Sequence, residues 1–286
     1  MNPYQGCEHG CSYCYARPTH EYWGYSSGID FEQTILVKSN AADLLRQKFQ
    51  SRSWKGEPIM LSGNTDCYQP VERKLQVTRS LLEVCVQHRN PVGIITKNAL
   101  VTRDLDLLKE LNKHNLCSVT LSITTLDEDL RRRLEPRTSS ARQKLAAIEQ
   151  LSKNGIPVSV MMAPIIPGLN SDELMKVAEA ISNAGAKALS YTIVRLNGPL
   201  ELLFKTWLDE HYPNKTKKVL KLIAECHGGS LQDYRTGTRM GGEGEFASMI
   251  KQQLTLARKK YKLDDKEVYK LNRDAFTRTG QLGLGI

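Results

Sequence analysis

Three cysteines lie close together near the start of this chain, and their spacing is that of a metal-binding loop. Cys7, Cys11 and Cys14 form the pattern C-x-x-x-C-x-x-C. Three thiolates on one short loop can each bind one iron of a cubane [4Fe–4S] cluster, which leaves the fourth iron without a protein ligand. An iron with an open position can bind and activate a small molecule, so the motif predicts a reactive metal centre.

Two other kinds of metal site could use the same cysteines. His9 lies inside the motif and His20 six residues after it, and either could complete a Cys₃His zinc site, although neither has the usual zinc-ligand spacing. A cluster that only carries electrons normally takes four cysteines. No fourth cysteine follows at ferredoxin spacing, although folding could bring Cys67 close. The spacing favours the open cluster and leaves a non-catalytic zinc or nucleic-acid binding module as the alternative.

The residues around the cysteines resemble a known family. With Tyr13 in the aromatic position, the motif is similar to C-x-x-x-C-x-aromatic-C, which defines the radical SAM superfamily. The stretch from Asn2 to His20, together with Met240-Gly-Gly-Glu-Gly-Glu and the closing Gly280-Gln-Leu, resembles the branch related to spore photoproduct lyase. That branch is often labelled DNA repair photolyase-like. The resemblance implies an α/β fold built as a partial (β/α)₆ barrel.

The same resemblance implies the cofactors and the reaction. The three cysteines would hold a [4Fe–4S] cluster, and S-adenosylmethionine (SAM) would bind at the open iron. An electron from an external flavodoxin-type or ferredoxin-type reductant would cleave SAM and give a 5′-deoxyadenosyl radical. This radical abstracts hydrogen from the substrate, in a lyase or other radical reaction. The protein's part would be to position the reactants and exclude water, because the cofactor supplies the reactivity.

Two strand ends carry residues that would hold SAM. Ser62, Gly63 and Asn64 end a predicted strand, which in the family meets the methionine amine, and such residues let the backbone approach a ligand. Ser122 and Thr124 alternate on another strand and therefore share one face. Their hydroxyls would suit the ribose of SAM, or they would bond each other in a polar layer of the core.

The remaining candidates lie in loops. Arg137 could grip the methionine carboxylate through two hydrogen bonds, and Tyr13 lies in the cluster loop itself. Ile165 belongs to an apolar, proline-stiffened turn over residues 162–168 that would form a wall for adenine. Cys67 and Tyr68 follow the same strand end as Ser62. They are candidates for the cysteine hydrogen donor and assisting tyrosine of spore photoproduct lyase, and the alternative for Cys67 is a small packed side chain.

Alternating β-rich and amphipathic runs between residues 58 and 195 predict the elements that position these side chains. This alternation is typical of a parallel sheet with crossover helices. If helix 41–50 is the first crossover, its partner strand should lie just before Cys7, where only six residues are present, so we expect the first barrel strand to be missing. The predicted strands are 59–62, 92–96, 118–124, 158–163 and 188–194, with a short one at 34–38; the predicted helices are 41–50, 72–88, 102–113, 139–154 and 171–184.

The chain becomes helical after about residue 199. Helices are predicted at 200–211, 216–226 and 244–262. We therefore predict a partial barrel with its cluster loop over residues 1–198 and a basic helical extension over 199–286. The glycine-rich stretch 235–244 separates the last two helices. Four charged residues in or next to it predict a mobile substrate lid: Arg235, Arg239, Glu243 and Glu245.

Composition limits the class of protein. With 286 residues and 40% hydrophobic content, the chain can bury a substantial core. It has no apolar run long enough to span a membrane and no signal peptide, so we expect a cytoplasmic protein without a membrane partner. Seven cysteines, three of them within eight residues, suit metal binding in a reducing compartment better than a disulfide framework. The oligomeric state is left open.

The positive charge is unevenly distributed. Net charge is +9, and residues 205–286 hold 16 Lys and Arg against 10 Asp and Glu. Such an excess predicts a polyanionic partner, so a nucleic-acid substrate is expected. No recognised DNA-binding motif accompanies it. The alternative is that these cations form a solvated surface and that the substrate is a peptide or a small molecule.

Overall fold

A computed structural model describes residues 1–280, and residues 281–286, which include part of the closing motif, lie outside the described part. The strands are β1 (Tyr4–Gln5), β2 (Leu36–Val37), β3 (Ile59–Leu61), β4 (Val92–Thr96), β5 (Cys117–Ser122), β6 (Val158–Ile165) and β7 (Ala188–Ile193). The helices are α1 (Asp30–Gln33), α2 (Ala41–Gln50), α3 (Glu72–Leu75), α4 (Val77–His88), α5 (Leu105–Asn112), α6 (Glu128–Leu134), α7 (Ala141–Lys153), α8 (Leu174–Asn183), α9 (Leu200–His211), α10 (Thr216–Glu225) and α11 (Gly244–Tyr261). Four 3₁₀ helices cover Arg17–Trp23, Ala99–Asp104, Ser171–Glu173 and Lys266–Tyr269.

Five parallel strands form the central sheet in the order β3-β4-β5-β6-β7. Each neighbouring pair is parallel and is joined through at least one helix, which confirms the predicted α/β class with crossover helices. β5 is buried along its whole length, as expected for a parallel strand covered on both faces. The described residues do not close the sheet into a barrel.

The start of the chain forms a separate, two-stranded sheet. β1 pairs antiparallel with β2, so the short strand predicted at 34–38 exists but lies outside the parallel sheet. β1 occupies the place before Cys7 where a parallel first strand was expected. The outer edge of β3 is met instead by Met1, whose ammonium donates to the Met60 carbonyl and whose carbonyl accepts from the Ser62 amide.

Three helix predictions differ from the structure at their first turns. The predicted helix 171–184 begins as the 3₁₀ helix Ser171–Glu173, and α8 starts at Leu174. The predicted helix 72–88 is interrupted at Gln76, whose φ of 53° lies in the left-handed region. Such a conformation is uncommon for a residue other than glycine and was not foreseeable from the periodic pattern. The predicted helix 102–113 begins as a 3₁₀ helix, because the Asn98 side chain accepts from the Leu100 amide and caps the chain earlier.

Other helix ends agree with their signals. α7 starts with a capping box formed by Ser140 and Gln143, and the glycines predicted to stop α7 and α8, Gly155 and Gly185, both have positive φ. No helix within residues 1–280 is long and apolar enough to cross a membrane.

The C-terminal helices pack onto the sheet. Ala247, Ile250 and Leu254 of α11 join the main hydrophobic core beside β7 and α8. α9 and α10 contribute to a second cluster that also contains Cys11 and Tyr13 of the cysteine loop. The division at residue 198 stays a prediction, but residues on both sides of it contribute to both hydrophobic clusters.

Candidate active site

The carboxyl ends of the parallel strands and the cysteine loop surround one cavity of about 370 Å³. Cys7, Cys11 and Cys14 all line it. Opposite them lie residues that directly follow β3 and β4, and residues from the ends of β5, β6 and β7. Ligands of parallel α/β sheets bind at this edge, because the loops after the strands converge there. The cavity is therefore the candidate active site.

The cysteine loop is held by backbone hydrogen bonds and by one buried arginine. The Cys7 amide donates to the Phe31 carbonyl at 2.8 Å, and the Ser12 amide donates to the Leu134 carbonyl at 3.0 Å. Arg17 donates through Nε to the Cys11 carbonyl at 3.1 Å. These bonds fix the loop to α1 and α6, so the three thiols keep their positions relative to the sheet.

Arg137 supports the same loop from its outer side. Its guanidinium donates to the Glu8 carbonyl and pairs with Glu32. A Cβ added to Gly10, whose φ is 67°, would clash with this guanidinium. Arg137 is not among the residues that line the cavity. The structure therefore gives it a bracing position, and the interpretation of Arg137 as the grip for a carboxylate in the cavity does not agree with its placement.

The three thiols are suited to a cluster rather than to free cysteine chemistry. Burial, with a further contribution from the charge of Glu135, holds the pKa of Cys11 well above its usual range. Burial and the neighbouring Cys7 raise the pKa of Cys14 to about 11. Buried thiols of this kind become thiolates when a metal supplies positive charge. Three soft sulfur donors on one cavity wall fit a [4Fe–4S] cluster.

The histidines that could have completed a zinc site have other surroundings. His9 is buried with Nδ1 3.4 Å from Asp66 Oδ2 and Nε2 3.4 Å from Asn98 Nδ2. His20 packs between Tyr25 and Phe31, with ring centroids 5.2 and 5.6 Å away. Within residues 1–280, no three His, Cys, Asp or Glu side chains form a group that would hold a single metal ion. A cubane binds each thiolate to a different iron and does not require such convergence.

The loop after β3 lies on the cavity wall. Ser62, Gly63 and Asn64, the residues predicted to meet SAM, all line the cavity. Ser62 has a φ of 67°, and its hydroxyl accepts from the Cys67 amide at 2.7 Å. A Cβ added to Gly63 would meet nothing within 4 Å, which leaves open space for a ligand beside the backbone. Tyr15 donates to the Gly63 carbonyl at 2.8 Å and joins this loop to the cysteine loop.

A buried charge network adjoins the cavity; we call it the cavity network and define it as Glu135, Lys97, Lys144, Tyr13 and Thr124. Lys97 Nζ is 3.1 Å and Lys144 Nζ 3.3 Å from the fully buried carboxylate of Glu135. Tyr13 and Thr124 donate their hydroxyls to the same carboxylate. Tyr13 and Lys97 line the cavity, whereas Thr124 does not. The hydroxyl of Thr124 is therefore used inside the network.

The charges of the cavity network stabilise one another. Burial disfavours the ionised carboxyl of Glu135, but the ammonium groups of Lys144 and Lys97 outweigh it and hold the pKa of Glu135 far below its usual range. Burial also disfavours the Lys97 ammonium, but Glu135 outweighs it and raises the pKa of Lys97. Burial lowers the pKa of Lys144. One carboxylate thus faces two ammonium groups, and the network is cationic when both are protonated.

Lys97 connects this network to the cavity. Its Nζ donates to Ser122 Oγ at 2.7 Å and to the Ala163 carbonyl at 3.0 Å. Ser122 lines the cavity, as predicted for a cofactor-binding hydroxyl. Sequence reasoning missed Lys97, although one signal was present: it directly follows β4, at the edge of the sheet where ligands bind.

Three other candidates lie in the core. Cys67 and Tyr68 are fully buried and do not line the cavity. The Tyr68 hydroxyl donates to Asp104 at 3.0 Å, and burial, followed by nearby acids, holds the pKa of Cys67 well above its usual range. These surroundings favour packing over hydrogen donation in the cavity. Ile165 is also fully buried, and the wall predicted for it is formed by the neighbouring Ala163 and Pro164.

Two arginines line the cavity near the end of β7. Arg195 follows β7, and Arg239 belongs to the glycine-rich stretch 235–244, which forms no helix before α11. The Ile193 amide donates to the Met240 carbonyl at 2.8 Å, which fixes this stretch beside the strand end. Of the four residues predicted to form a lid, Arg239 is the one that lines the cavity.

The chain was compared with protein families and with known proteins. A family model described as the Radical SAM superfamily matches residues 1–181. An uncharacterised protein of Mycobacterium tuberculosis is 33% identical over 78% of this chain and 66% of its own length, just under two thirds. An uncharacterised protein of Methanocaldococcus jannaschii is 32% identical over 74% of this chain and 76% of its own length. A Pseudomonas phage M6 protein named radical SAM Nalpha-GlyT isomerase is 25% identical over 80% of this chain and 46% of its own length.

A solved structure has a similar fold. Spore photoproduct lyase complexed with dinucleoside spore photoproduct superposes with a TM-score of 0.63 and 16% identity. The superposition covers 90% of this chain and 72% of that protein. At this identity the likeness concerns the fold, and it agrees with the parallel α/β sheet described above.

Proposed function

This chain belongs to the radical SAM superfamily, and from that premise we propose that it holds a [4Fe–4S] cluster on Cys7, Cys11 and Cys14 and cleaves SAM reductively. One observation carries the proposal. The three thiols and the residues expected to meet SAM, Ser62 to Asn64 and Ser122, line the same cavity. When bound and reduced, such a cluster would supply one electron to the sulfonium of SAM, and cleavage of the C5′–S bond would give methionine and the 5′-deoxyadenosyl radical.

The residues of this chain provide binding and water exclusion. The loop 62–64, with its open space beside Gly63, would accept the methionine amine. Lys97 would take the methionine carboxylate, the role first predicted for Arg137, because Lys97 lines the cavity and belongs to a network with more lysines than carboxylates. Ser122 would donate to or accept from a ligand hydroxyl. Apolar groups of the cavity wall, Met161 and Pro164 among them, would cover adenine.

We propose a nucleic acid as the substrate class, with an external one-electron reductant as partner. The positive charge of residues 205–286 supports this proposal. The dinucleoside spore photoproduct bound to spore photoproduct lyase, a protein of similar fold, also agrees with it. For a duplex substrate, the target base would have to leave the stack to reach the cavity. The second candidate is the same chemistry on a peptide or small molecule.

Anaerobic reconstitution with iron and sulfide tests the cluster. We expect about four irons per chain, as a cubane requires, and a change in the electron paramagnetic resonance spectrum of the reduced protein when SAM is added. Cys11→Ala should bind fewer irons and should show no change in this spectrum when SAM is added. Cys85→Ala is the matched control, because Cys85 is equally buried but lies on α4, away from the cavity. A colourless protein with one zinc per chain would favour the binding module instead.

Stimulation of SAM cleavage tests the substrate class. The rate of 5′-deoxyadenosine formation by the reconstituted protein would be measured with single-stranded oligonucleotides and with a peptide mixture. We expect oligonucleotides to raise the rate and to acquire a modification visible by mass spectrometry. If only the peptides raise the rate of 5′-deoxyadenosine formation, the substrate is a peptide rather than a nucleic acid.

A further inference from the structure

The cavity has a second cationic region at the end of β7. Arg195 and Arg239 both line the cavity. Arg195 lies two residues after β7, and Arg239 lies on the glycine-rich stretch that is hydrogen-bonded beside this strand end. The guanidinium carbon of Arg195 lies 5.8 Å above the ring of Tyr15, another lining residue. Partial burial, followed by the nearby charge of Arg239, lowers the pKa of Arg195. Two positively charged side chains therefore line the same part of the cavity.

Neither guanidinium forms an ion pair with a carboxylate of the described residues. Among residues 1–280, no carboxylate lies within 4.0 Å of a side-chain nitrogen of Arg195 or Arg239, and the one side-chain hydrogen bond of the pair goes from Arg195 to the sulfur of Met240 at 3.1 Å. A thioether is a weak acceptor. Arg235, four residues before Arg239, shows the contrast: it pairs with Asp233 at 3.0 Å and Glu243 at 2.8 Å.

The arginine pair is separate from the cations expected to serve SAM. Lys97 follows β4 and Arg195 follows β7, so three strand spacings, about 14 Å, separate their positions along the sheet edge. A methionine carboxylate held at Lys97 would leave the pair without an anion. Arginine is also the side chain best suited to grip a planar or tetrahedral oxyanion through two hydrogen bonds.

We propose that Arg195 and Arg239 form an anion subsite that binds a phosphate group of the substrate, with Tyr15 beside it. This inference rests on the proposed function and narrows the substrate to molecules that carry a phosphodiester or phosphomonoester near the reacting group. The aromatic ring of Tyr15 gives a nucleobase next to that phosphate a surface on which to stack.

Binding to the reconstituted protein tests the subsite apart from catalysis. A short fluorescein-labelled single-stranded oligodeoxynucleotide would be titrated by fluorescence anisotropy at several salt concentrations, and thymidine monophosphate would be titrated by calorimetry. Arg195→Gln and Arg239→Gln should each weaken binding of at least one probe about tenfold. Each should reduce the salt slope of oligonucleotide binding by about 0.7, the contribution of one phosphate contact. Arg142→Gln on α7, an exposed arginine outside the cavity, is the control for loss of charge and should change binding less than about twofold.

The outcomes separate this inference from the proposed function. Loss confined to the oligonucleotide assigns a phosphodiester, and loss of thymidine monophosphate binding assigns a phosphomonoester. Variants that bind both probes like the unmodified protein would overturn the subsite. A loss of SAM affinity in Arg195→Gln would also overturn it, since the pair would then belong to the SAM site. If the unmodified protein fails to cleave SAM while these probes still bind through the arginines, the proposed function fails and the subsite stands.

Discussion

Within residues 1–280, two buried charge clusters can be compared, and one of them contributes residues to the active-site cavity. The cavity network has one carboxylate, Glu135, between Lys97 and Lys144. The second, which we call the closed cluster, consists of Glu72, Asp104, Arg79, Arg103, Tyr4 and Tyr68. Arg103 pairs with both buried carboxylates at 2.7 Å, and Arg79 pairs with Asp104 at 3.0 Å.

The two clusters differ in charge balance and in the type of cation. The closed cluster matches two buried carboxylates with two arginines, whose planar groups fix the geometry, and none of its members lines the cavity. The cavity network has two lysines and one carboxylate, and Lys97 lines the cavity. Buried charge alone is therefore weak evidence for a site. An unbalanced cation at the carboxyl edge of the sheet is stronger evidence, because it calls for an anionic ligand.

The largest effect should come from removing the central carboxylate of the cavity network. Glu135→Gln leaves Lys97 and Lys144 without their shared carboxylate, so it should lower the free energy of unfolding by about 3–5 kcal/mol. Glu72→Gln leaves the partly exposed Arg103 with Asp104 as its partner, so it should lower that free energy by less. Glu135→Gln alone should also weaken SAM binding, because Lys97 loses its position. Urea unfolding and SAM titration of the folded, reconstituted variants measure the two quantities. Equal SAM affinity in both variants would contradict the proposal that the cavity network, and not the closed cluster, supports SAM binding.

A second pair of variants compares the two kinds of cation directly. Lys97→Met should weaken SAM binding about 10- to 100-fold, the usual effect of losing a charged hydrogen bond, while Glu135 keeps Lys144 as its partner. Arg103→Met should leave SAM affinity unchanged and destabilise the fold. Calorimetric titration with SAM checks both. The assignment of Lys97 fails if SAM binds equally well to Lys97→Met and the unmodified protein.

Cys67 and Tyr68 provide a smaller test of the same distinction. Tyr68→Phe removes a hydroxyl that bonds Asp104, so it should cost about 1.5–3 kcal/mol of stability. Cys67→Ala removes one buried sulfur and should cost about 1–2 kcal/mol. Neither variant should change the rate of substrate-dependent 5′-deoxyadenosine formation measured by chromatography. If a variant of normal stability forms less 5′-deoxyadenosine in the presence of substrate, the hydrogen-donor role predicted from sequence would be supported instead.

The smallest effect should come from Asp106, an exposed carboxylate that pairs with Arg79 of the closed cluster. The Arg79 hydrogen bond, opposed by slight burial, lowers the pKa of Asp106. A lowered carboxyl pKa contributes stability above the unfolded value of about 3.9, and this is lost as pH falls through the folded value. Asp106→Asn should therefore cost less than about 1 kcal/mol near neutral pH, where solvent screens the pair. Thermal unfolding should show the difference constant from pH 7 to 5 and shrinking below pH 4; a difference that grows on acidification would contradict the pairing.

Local signals predicted most of the fold. The predicted bounds of β4, α2 and α9 agree with the structure, because their periodicity and end signals lie within each segment. The break at Gln76 could not be predicted, since a left-handed residue other than glycine is selected by tertiary packing. The strand β1 was missed because its two residues carry too little pattern to distinguish them from a loop.

The parts of the site that depend on the spacing of residues within one loop were predictable from sequence. The parts that depend on the direction of a long side chain, or on contacts between distant segments, were not. Cys7, Cys11 and Cys14 line one cavity, as their spacing in one loop indicated. Arg137 was assigned to the cavity because its position beside a short helix suited a ligand, but its guanidinium extends along the outer side of the cluster loop. Arg195 and Arg239 are distant in sequence. They share a wall of the cavity because the hydrogen bond between Ile193 and Met240 brings the glycine-rich stretch beside the end of β7.

If the three-cysteine loop supports reductive cleavage of SAM, loss of one of its cysteines should abolish the product, and product analysis measures this. The reconstituted protein, Cys11→Ala and Cys85→Ala would be reduced with dithionite in the presence of SAM, and 5′-deoxyadenosine would be quantified by chromatography. We predict the product from the unmodified protein and from Cys85→Ala, and none from Cys11→Ala. Intact SAM in every sample, or equal product from Cys11→Ala, would contradict the account.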